Sequence, residues 1–256
     1  MTTVSIAFLE RLATAPAYCF TTDLDWAPES MVEETLSLFD RYRVPLTPFI
    51  THASPAIARR YEGTAVGEVG VHPNFRPGSS HGATESAVVD HVLALWPAAK
   101  CFRSHGFVDS SSIAEAFHSR GLQYDSNLCL YLQPGAMPLQ HVSGLVRFPV
   151  FLEDDDVAAK RNGWSTDRFE VALRTPGLKI FNFHPQHVCL NTPDLSHYER
   201  AKGRVGENRW HESVHEGAGA RTLLVGLLEF VRANPGLGVF SLRELYDASV
   251  GGAMAP

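Results

Sequence analysis

Two aspartates two residues apart, Asp23-Leu24-Asp25, follow a run, Tyr18-Cys-Phe-Thr-Thr, that reads as buried. Residues two apart on a strand point the same way. Two carboxylates held close together repel unless a cation lies between or beside them, so the pair points to a metal centre. Imidazoles recur in matching positions. His72 follows Gly-Glu-Val-Gly-Val and precedes Pro73-Asn74, and His81 sits in a Gly-Ser-Ser-His-Gly loop. Arg103 and His105 lie in Phe-Arg-Ser-His-Gly, and His184 and His187 in Phe-Asn-Phe-His-Pro-Gln-His, where Pro185 fixes the backbone after His184. Carboxylate and imidazole are ligands for zinc and the usual carriers of protons in hydrolysis. The chain holds 12 histidines, more than packing alone asks for.

The elements that must position these groups alternate between short apolar runs and amphipathic segments. Strands are expected at Tyr18–Asp23, Val44–Ile50, Gly67–Val71, Lys100–Arg103, Leu122–Asp125, Leu145–Phe151, Leu178–Phe183 and Gly238–Ser241. Between them, Ser30-Met-Val-Glu33 reads as a capping box and Ser54-Pro55 as a helix start. Thr84 precedes Val88, Val92 and Leu95 at helical spacing, and Ser112 precedes Ile113, Ala116 and Phe117. Arg221–Ala233 reads as a further helix, and Tyr131–Gly144 and Val188–Gly219 as long loops. Such alternation implies an α/β fold with a parallel sheet, as a barrel or an open doubly wound sheet. In either case the active site sits at the carboxyl ends of the strands. Nearly every expected strand is followed by an ionisable group: Asp23 and Asp25, His52, His72, Arg103 and His105, Asp125, then Glu153-Asp154-Asp155, and finally His184 and His187. That concentration on one rim is the strongest family-independent sign of an enzyme.

Several classes are disfavoured. The net charge of −6 argues against nucleic acid as the main partner. No apolar run approaches the roughly 18 residues of a spanning helix, and the N-terminal residues do not read as a secretion signal, so a cytoplasmic location is expected. The four cysteines are scattered and read as reduced thiols. Dinucleotide and phosphate-loop patterns are absent, which disfavours nucleotide cofactors. His211-Glu212-Ser213-Val214-His215 matches the zinc-protease pattern His-Glu-x-x-His, but its polar, glycine-rich flanks are poor material for the buried helix that pattern needs.

Together the motifs resemble those of the polysaccharide deacetylases (NodB homology, carbohydrate esterase family 4). Phe20-Thr-Thr-Asp-Leu-Asp-Trp26 is similar to the family's first motif, Glu68-Val-Gly-Val-His-Pro-Asn74 to its metal-binding motif and Phe102-Arg-Ser-His-Gly106 to its arginine motif. Phe148-Pro149 and Phe181-Asn-Phe-His-Pro185 resemble its last two. The wording is closest to an atypical branch found in bacterial lipopolysaccharide O-antigen loci. The resemblance implies one domain over residues 1–256, a distorted (β/α)7 barrel, and hydrolysis of an acetyl group from a sugar or glycan precursor with the help of a divalent metal, expected to be Zn2+. It implies Asp23 as general base, His184 as general acid, Arg103 as the partner of Asp23, and Asp25 and His72 as metal ligands. The family's second metal histidine lies four residues after the first, where this chain has Arg76. His81 is expected to replace it, with His105 as second choice. His105, Trp26 and His187 are expected to contact substrate, and Trp26 and Tyr131 are candidate sugar-stacking surfaces. The alternative is a catalytically altered barrel that binds carbohydrate. Sequence leaves the oligomeric state open.

Overall fold

The computed structural model describes residues 3–63, 68–160 and 163–251. Its centre is a curled sheet built from β1 (Pro16–Asp23), β2 (Thr47–Ile50), β3 (Gly70–Val71), β4 (Cys101–Phe102), β5 (Tyr124–Asp125), β6 (Leu139–Gln140), β7 (Val146–Arg147), β8 (Val150–Glu153), β9 (Gly177–Phe183) and β10 (Gly238–Phe240). The order across it is β6-β7-β5-β4-β3-β2-β1-β9-β8, with β10 beside β1. Pairing is parallel except for β6 on β7. With helices packed on its outer face, this is the distorted α/β barrel expected from sequence. Among the described residues, no helix is long and apolar enough to cross a membrane.

Strand alternation explains what faces inward. On β1, Tyr18 and Phe20 pack outward among residues of the helices Glu29–Tyr42 and Ala220–Ala233. Ala17 and Cys19 pack inward with Leu178 and Ile180 of β9, Cys101 of β4 and Phe49 of β2. Continuing each inward row by two or four residues reaches Thr21 and Asp23, Asn182 and Arg103. The barrel interior is thus an apolar floor capped by a polar mouth. Helices Ile6–Thr14 and Leu242–Ser249 close the floor with Phe8, Leu12, Leu245 and Tyr246. At Gly70 a side chain would strike the Phe49 ring at 2.5 Å and the Cys101 sulfur at 2.9 Å, so only glycine lets β3 lie this close.

Several expected elements differ. The run Leu145–Phe151 is two strands: β7 pairs with β5 and β8 with β9, on opposite sides of the sheet. Pro149, with no N–H to donate, lies in the break. Ser30 does not cap its helix. That helix begins at Glu29, and the Glu29 carboxylate reaches across to accept from Ser54 Oγ and the Ala56 N–H of the next helix. Ser112 lies inside its helix rather than before it: the N-cap is Ser110, whose Oγ accepts from the Ile113 N–H. Val188–Gly219 is not an open loop, because it carries the second half of helix Pro185–Leu190 and all of Leu195–Gly206. Its turn at Asn191 and the Asp194 cap replace the signals a longer helix would show. The expected strand Gly67–Val71 starts outside the described residues.

One outward residue of β9 carries a stability prediction. Lys179 is fully buried, its Nζ donating to the Pro176 carbonyl at 3.1 Å and lying 4.8 Å over the Phe151 ring. Burial pushes its pKa down to about 8. The unfolded chain holds this proton up to about 10.4, so the fold should gain stability as pH rises from about 8 towards 10.4. Lys179→Met removes the buried cation. It is expected to stabilise the fold by about 1–3 kcal/mol at pH 7 and to flatten the rise above pH 8, measured by urea unfolding at pH 7 and 9.5. A Met variant less stable than wild type at both pH values would contradict this.

Candidate active site and metal centre

β1 ends at Asp23, and the chain then makes a strained turn. Asp25 (φ 45°) and Trp26 (φ 55°) both lie in the left-handed region, which is costly for residues with a side chain. Hydrogen bonds hold the turn: Trp26 N–H to Thr51 Oγ1 at 3.0 Å, Gln186 Nε2 to the Asp25 carbonyl at 2.7 Å and to the Leu24 carbonyl at 3.4 Å, and Ala27 N–H to the Leu24 carbonyl at 2.8 Å. Asp25 is therefore not the next inward position of a strand, as its spacing from Asp23 suggested. The turn, not strand alternation, swings its carboxylate over the barrel mouth.

Asp25 Oδ1 stands 3.0 Å from His72 Nε2 and 3.0 Å from His105 Nδ1. One donor atom from each of these three residues falls within 4.8 Å of the others. Two imidazoles and a carboxylate converging this closely suit a first-row divalent cation. Burial alone would raise the Asp25 pKa. Hydrogen bonds from His105 and His72, and the charges of His72 and His184, outweigh it and hold the carboxyl well below the usual carboxylate range. His72 Nδ1 is buried without a hydrogen-bond partner and lies 3.8 Å from Asp23 Oδ1.

Asp23 is almost fully buried and clamped on both oxygens. Arg103 Nη1 donates to Oδ1 at 2.8 Å, and Asn182 Nδ2 donates to Oδ2 at 2.9 Å. Arg103 is itself fixed by Thr21 Oγ1, Asn182 Oδ1 and the backbone and side chain of Ser126, with its guanidinium 4.4 Å over the Phe49 ring. Asn182 Nδ2 also faces Glu153 Oε2 at 3.3 Å. Burial and the nearby charges of Asp23, Asp155 and Asp154, only partly opposed by His184, push the Glu153 pKa up to about 8. At neutral pH it is a neutral acid that adds no second negative charge beside Asp23.

Across the mouth, His184 Nδ1 is 2.6 Å from Asp154 Oδ1, while the His184 backbone N–H donates to Oδ2 of the same carboxylate at 2.9 Å. Nε2 points inward, 3.7 Å from Asp25 Oδ2. Burial would lower the His184 pKa, but the charges of Asp154 and Asp155, the Asp154 hydrogen bond and the charge of Asp25 raise it well above the ordinary value. His187 lies one helical turn on, with Nε2 2.6 Å from Asp155 Oδ1 and Nδ1 3.1 Å from Thr192 Oγ1.

The remaining candidates fall as follows. His81 does not join the Asp25 group. Its Nδ1 accepts from the Asn74 N–H at 3.1 Å and its Nε2 donates to the Thr51 carbonyl at 2.9 Å, so no lone pair is left for a cation. The Trp26 ring stands against His81 and His105 at 5.4 and 5.5 Å and is 40% exposed, on the rim of the mouth. Arg76 packs its guanidinium against Gly106 (φ 63°), next to His105. His52 turns to Thr51 Oγ1, and Asp125 Oδ1 accepts from Arg147 Nε at 2.8 Å. Tyr131 lies beneath the Lys160 ammonium at the edge of the core. In the zinc-protease pattern, His211 stacks on Trp210 and Glu212 pairs with Arg209 on a short 3-10 turn. That pattern is not on a buried helix. Asn182 and the orienting role of Asp154 were not read from sequence. The available signal was an asparagine on the otherwise apolar inward face of a strand, two residues before a histidine.

An α/β barrel whose strand ends gather an Asp–His–His cluster, a clamped aspartate and a carboxylate-anchored histidine defines a class of hydrolase-like sites. The chain belongs to the WbmS-like polysaccharide deacetylase family, whose model matches residues 20–202. It is 30% identical to a crystal structure from Bordetella bronchiseptica, provisionally named a polysaccharide deacetylase involved in O-antigen biosynthesis. That match has a TM-score of 0.75 and covers 83% of this chain and 90% of the other. A second structure, provisionally named a polysaccharide deacetylase, from Mycobacterium smegmatis, shares the fold at 13% identity. Its TM-score is 0.53, with 93% of this chain and 91% of that one covered. Curated proteins gave no match.

Proposed function

We propose that this chain removes an N-acetyl or related acyl group from a sugar or glycan precursor, using a divalent metal, zinc by preference, held by Asp25, His72 and His105. A cation bound there supplies a Lewis acid for the acyl carbonyl and acidifies a water. The chain's own groups handle the protons. Asp23, its oxygens oriented by Arg103 and Asn182, takes a proton from the attacking water. His184, anchored at Nδ1 by Asp154, carries a proton on Nε2 and delivers it to the departing nitrogen. The backbone clamps on the Asp25–Trp26 turn keep the centre in place as the substrate enters. Trp26 offers an aromatic face at the rim for a pyranose ring.

The single observation that carries this reading is the placement of a clamped aspartate and a carboxylate-held histidine around the same Asp25 carboxylate. The resemblance to the Bordetella protein supports action on an O-antigen precursor. The four cysteines, all free, are in keeping with a cytoplasmic setting. The test is acetate release from N-acetylated amino sugars, free and nucleotide-linked. Chelation should reduce turnover at least about 100-fold, and added Zn2+ should restore it. Undiminished release by metal-free protein would overturn the metal's role.

A second reading, a barrel that only binds carbohydrate, is favoured by Arg76 standing at the family's usual ligand position. It predicts sugar binding with no acetate release from metal-loaded protein.

A further inference from the structure

The mouth of the barrel holds a second convergence of ligand atoms. We infer that Asp155, His184 and His187 form a second divalent-cation site, and that its occupation silences His184 as an acid. One donor atom each from these residues falls within 4.8 Å of the others. Both imidazoles are arranged as metal ligands are. One nitrogen of each ring is anchored, His184 Nδ1 by Asp154 at 2.6 Å and His187 Nδ1 by Thr192 Oγ1 at 3.1 Å. Such outer hydrogen bonds fix a ring's orientation and leave its other nitrogen free to ligate. The Nε2 of His187 already meets Asp155 Oδ1 at 2.6 Å.

Asp25 links the two clusters. Its Oδ1 faces His72 and His105, and its Oδ2 lies 3.7 Å from His184 Nε2. Asp25 is the one carboxylate that faces both groups of imidazoles, and it would stand between the two cations if both positions were filled. The charges of Asp25, Asp154 and Asp155 that favour a proton on His184 equally favour a cation in its place. The two histidines are buried, and the Asp155 side chain is 45% exposed, so the second position opens to solvent on one side. Its carboxylate, 45% exposed against 19% for Asp25, is the better hydrated of the two, so a cation there is expected to be the weaker bound.

The functional half rests on the reading of His184 as the proton donor. A cation on its Nε2 occupies the lone pair that would carry the proton, so turnover falls as the second site fills. The binding half stands without that reading.

The experiment is titration of metal-free full-length protein with Co2+ and Zn2+, followed by calorimetry and by the visible Co2+ spectrum. Wild type is expected to take up two equivalents, a tight one and a weaker one. Asp155→Asn and, separately, His187→Ala are expected to take up only the tight one, with circular dichroism unchanged. His72→Ala should lose the tight equivalent and keep the weaker. In the acetate-release assay, the Zn2+ concentration giving half inhibition should rise at least tenfold in Asp155→Asn. A single equivalent in wild type, or two in both Asp155→Asn and His187→Ala, overturns the second site. Two equivalents with no inhibition as the second fills overturns the silencing of His184. Retention of the tight equivalent by His72→Ala strikes the Asp25 centre instead, so the two readings fail separately.

Discussion

Asp23→Asn is expected to keep its metal and to lose turnover by roughly 10²- to 10⁴-fold, the usual worth of a positioned general base. The substitution preserves shape, and Asp23 is not among the three residues that converge on the cation position. What it removes is the proton acceptor. An asparagine can still accept from Arg103 through Oδ1. At the other oxygen, however, its amide would meet the Asn182 Nδ2 donor head on, where the native contact is 2.9 Å. Arg103, fully buried, also loses its counter-charge. The variant should therefore be less stable by something on the order of 3 kcal/mol. Steady-state acetate release and elemental analysis on the same preparation separate the two effects. A variant with normal metal content and a kcat within tenfold of wild type would remove Asp23 from the chemistry.

This prediction rests on positions that sequence made partly legible. Period-two alternation on β1, β4 and β9 was enough to bring Asp23, Arg103 and His184 to one rim, because each inward row runs from apolar residues straight into polar ones. Alternation failed two residues after Asp23. Asp25 seemed to continue the β1 row, yet it reaches the mouth through two left-handed residues whose hydrogen bonds come from Thr51 and Gln186, far away in the chain. No local pattern announces such a turn, since neither Asp25 nor Trp26 is a glycine. The split of Leu145–Phe151 was concealed for a similar reason. An apolar run does not say which neighbour it pairs with, and only Pro149 hinted at the break. Asn182 was visible but silent: its importance lies in touching Asp23, Arg103 and Glu153 at once, three contacts set by the curl of the sheet.

The third metal ligand is where spacing misled most and where the second large effect is expected. His105→Ala should lower metal affinity at least about 100-fold, the upper range seen even for outer-shell partners of a metal, whereas His81→Ala should leave it nearly unchanged. His81 looked the better candidate because it follows His72 closely in a flexible glycine–serine loop. Its ring is instead spent on the backbone. Donation from Nε2 to the Thr51 carbonyl sets the tautomer, and the remaining lone pair on Nδ1 accepts from the Asn74 N–H. Recruiting His81 would break both bonds in a buried setting, at a cost of about 1–3 kcal/mol for each group left unpaired. His105 needs no such exchange, since its Nδ1 already stands 3.0 Å from Asp25 Oδ1. Its backbone is held by donation from its N–H to the Pro73 carbonyl, next to His72. Gly106, in the left-handed region, lets the 3-10 turn carry His105 inward while Arg76 covers it from outside. Arg76 thus stands where the family usually has a ligand, and on the proposed reading the ligand comes instead from the neighbouring strand end. Metal content after dialysis, with the Co2+ spectrum as a second readout, decides between the histidines. A metal-free His81→Ala beside a fully loaded His105→Ala would restore His81 and reject the Asp25–His72–His105 centre.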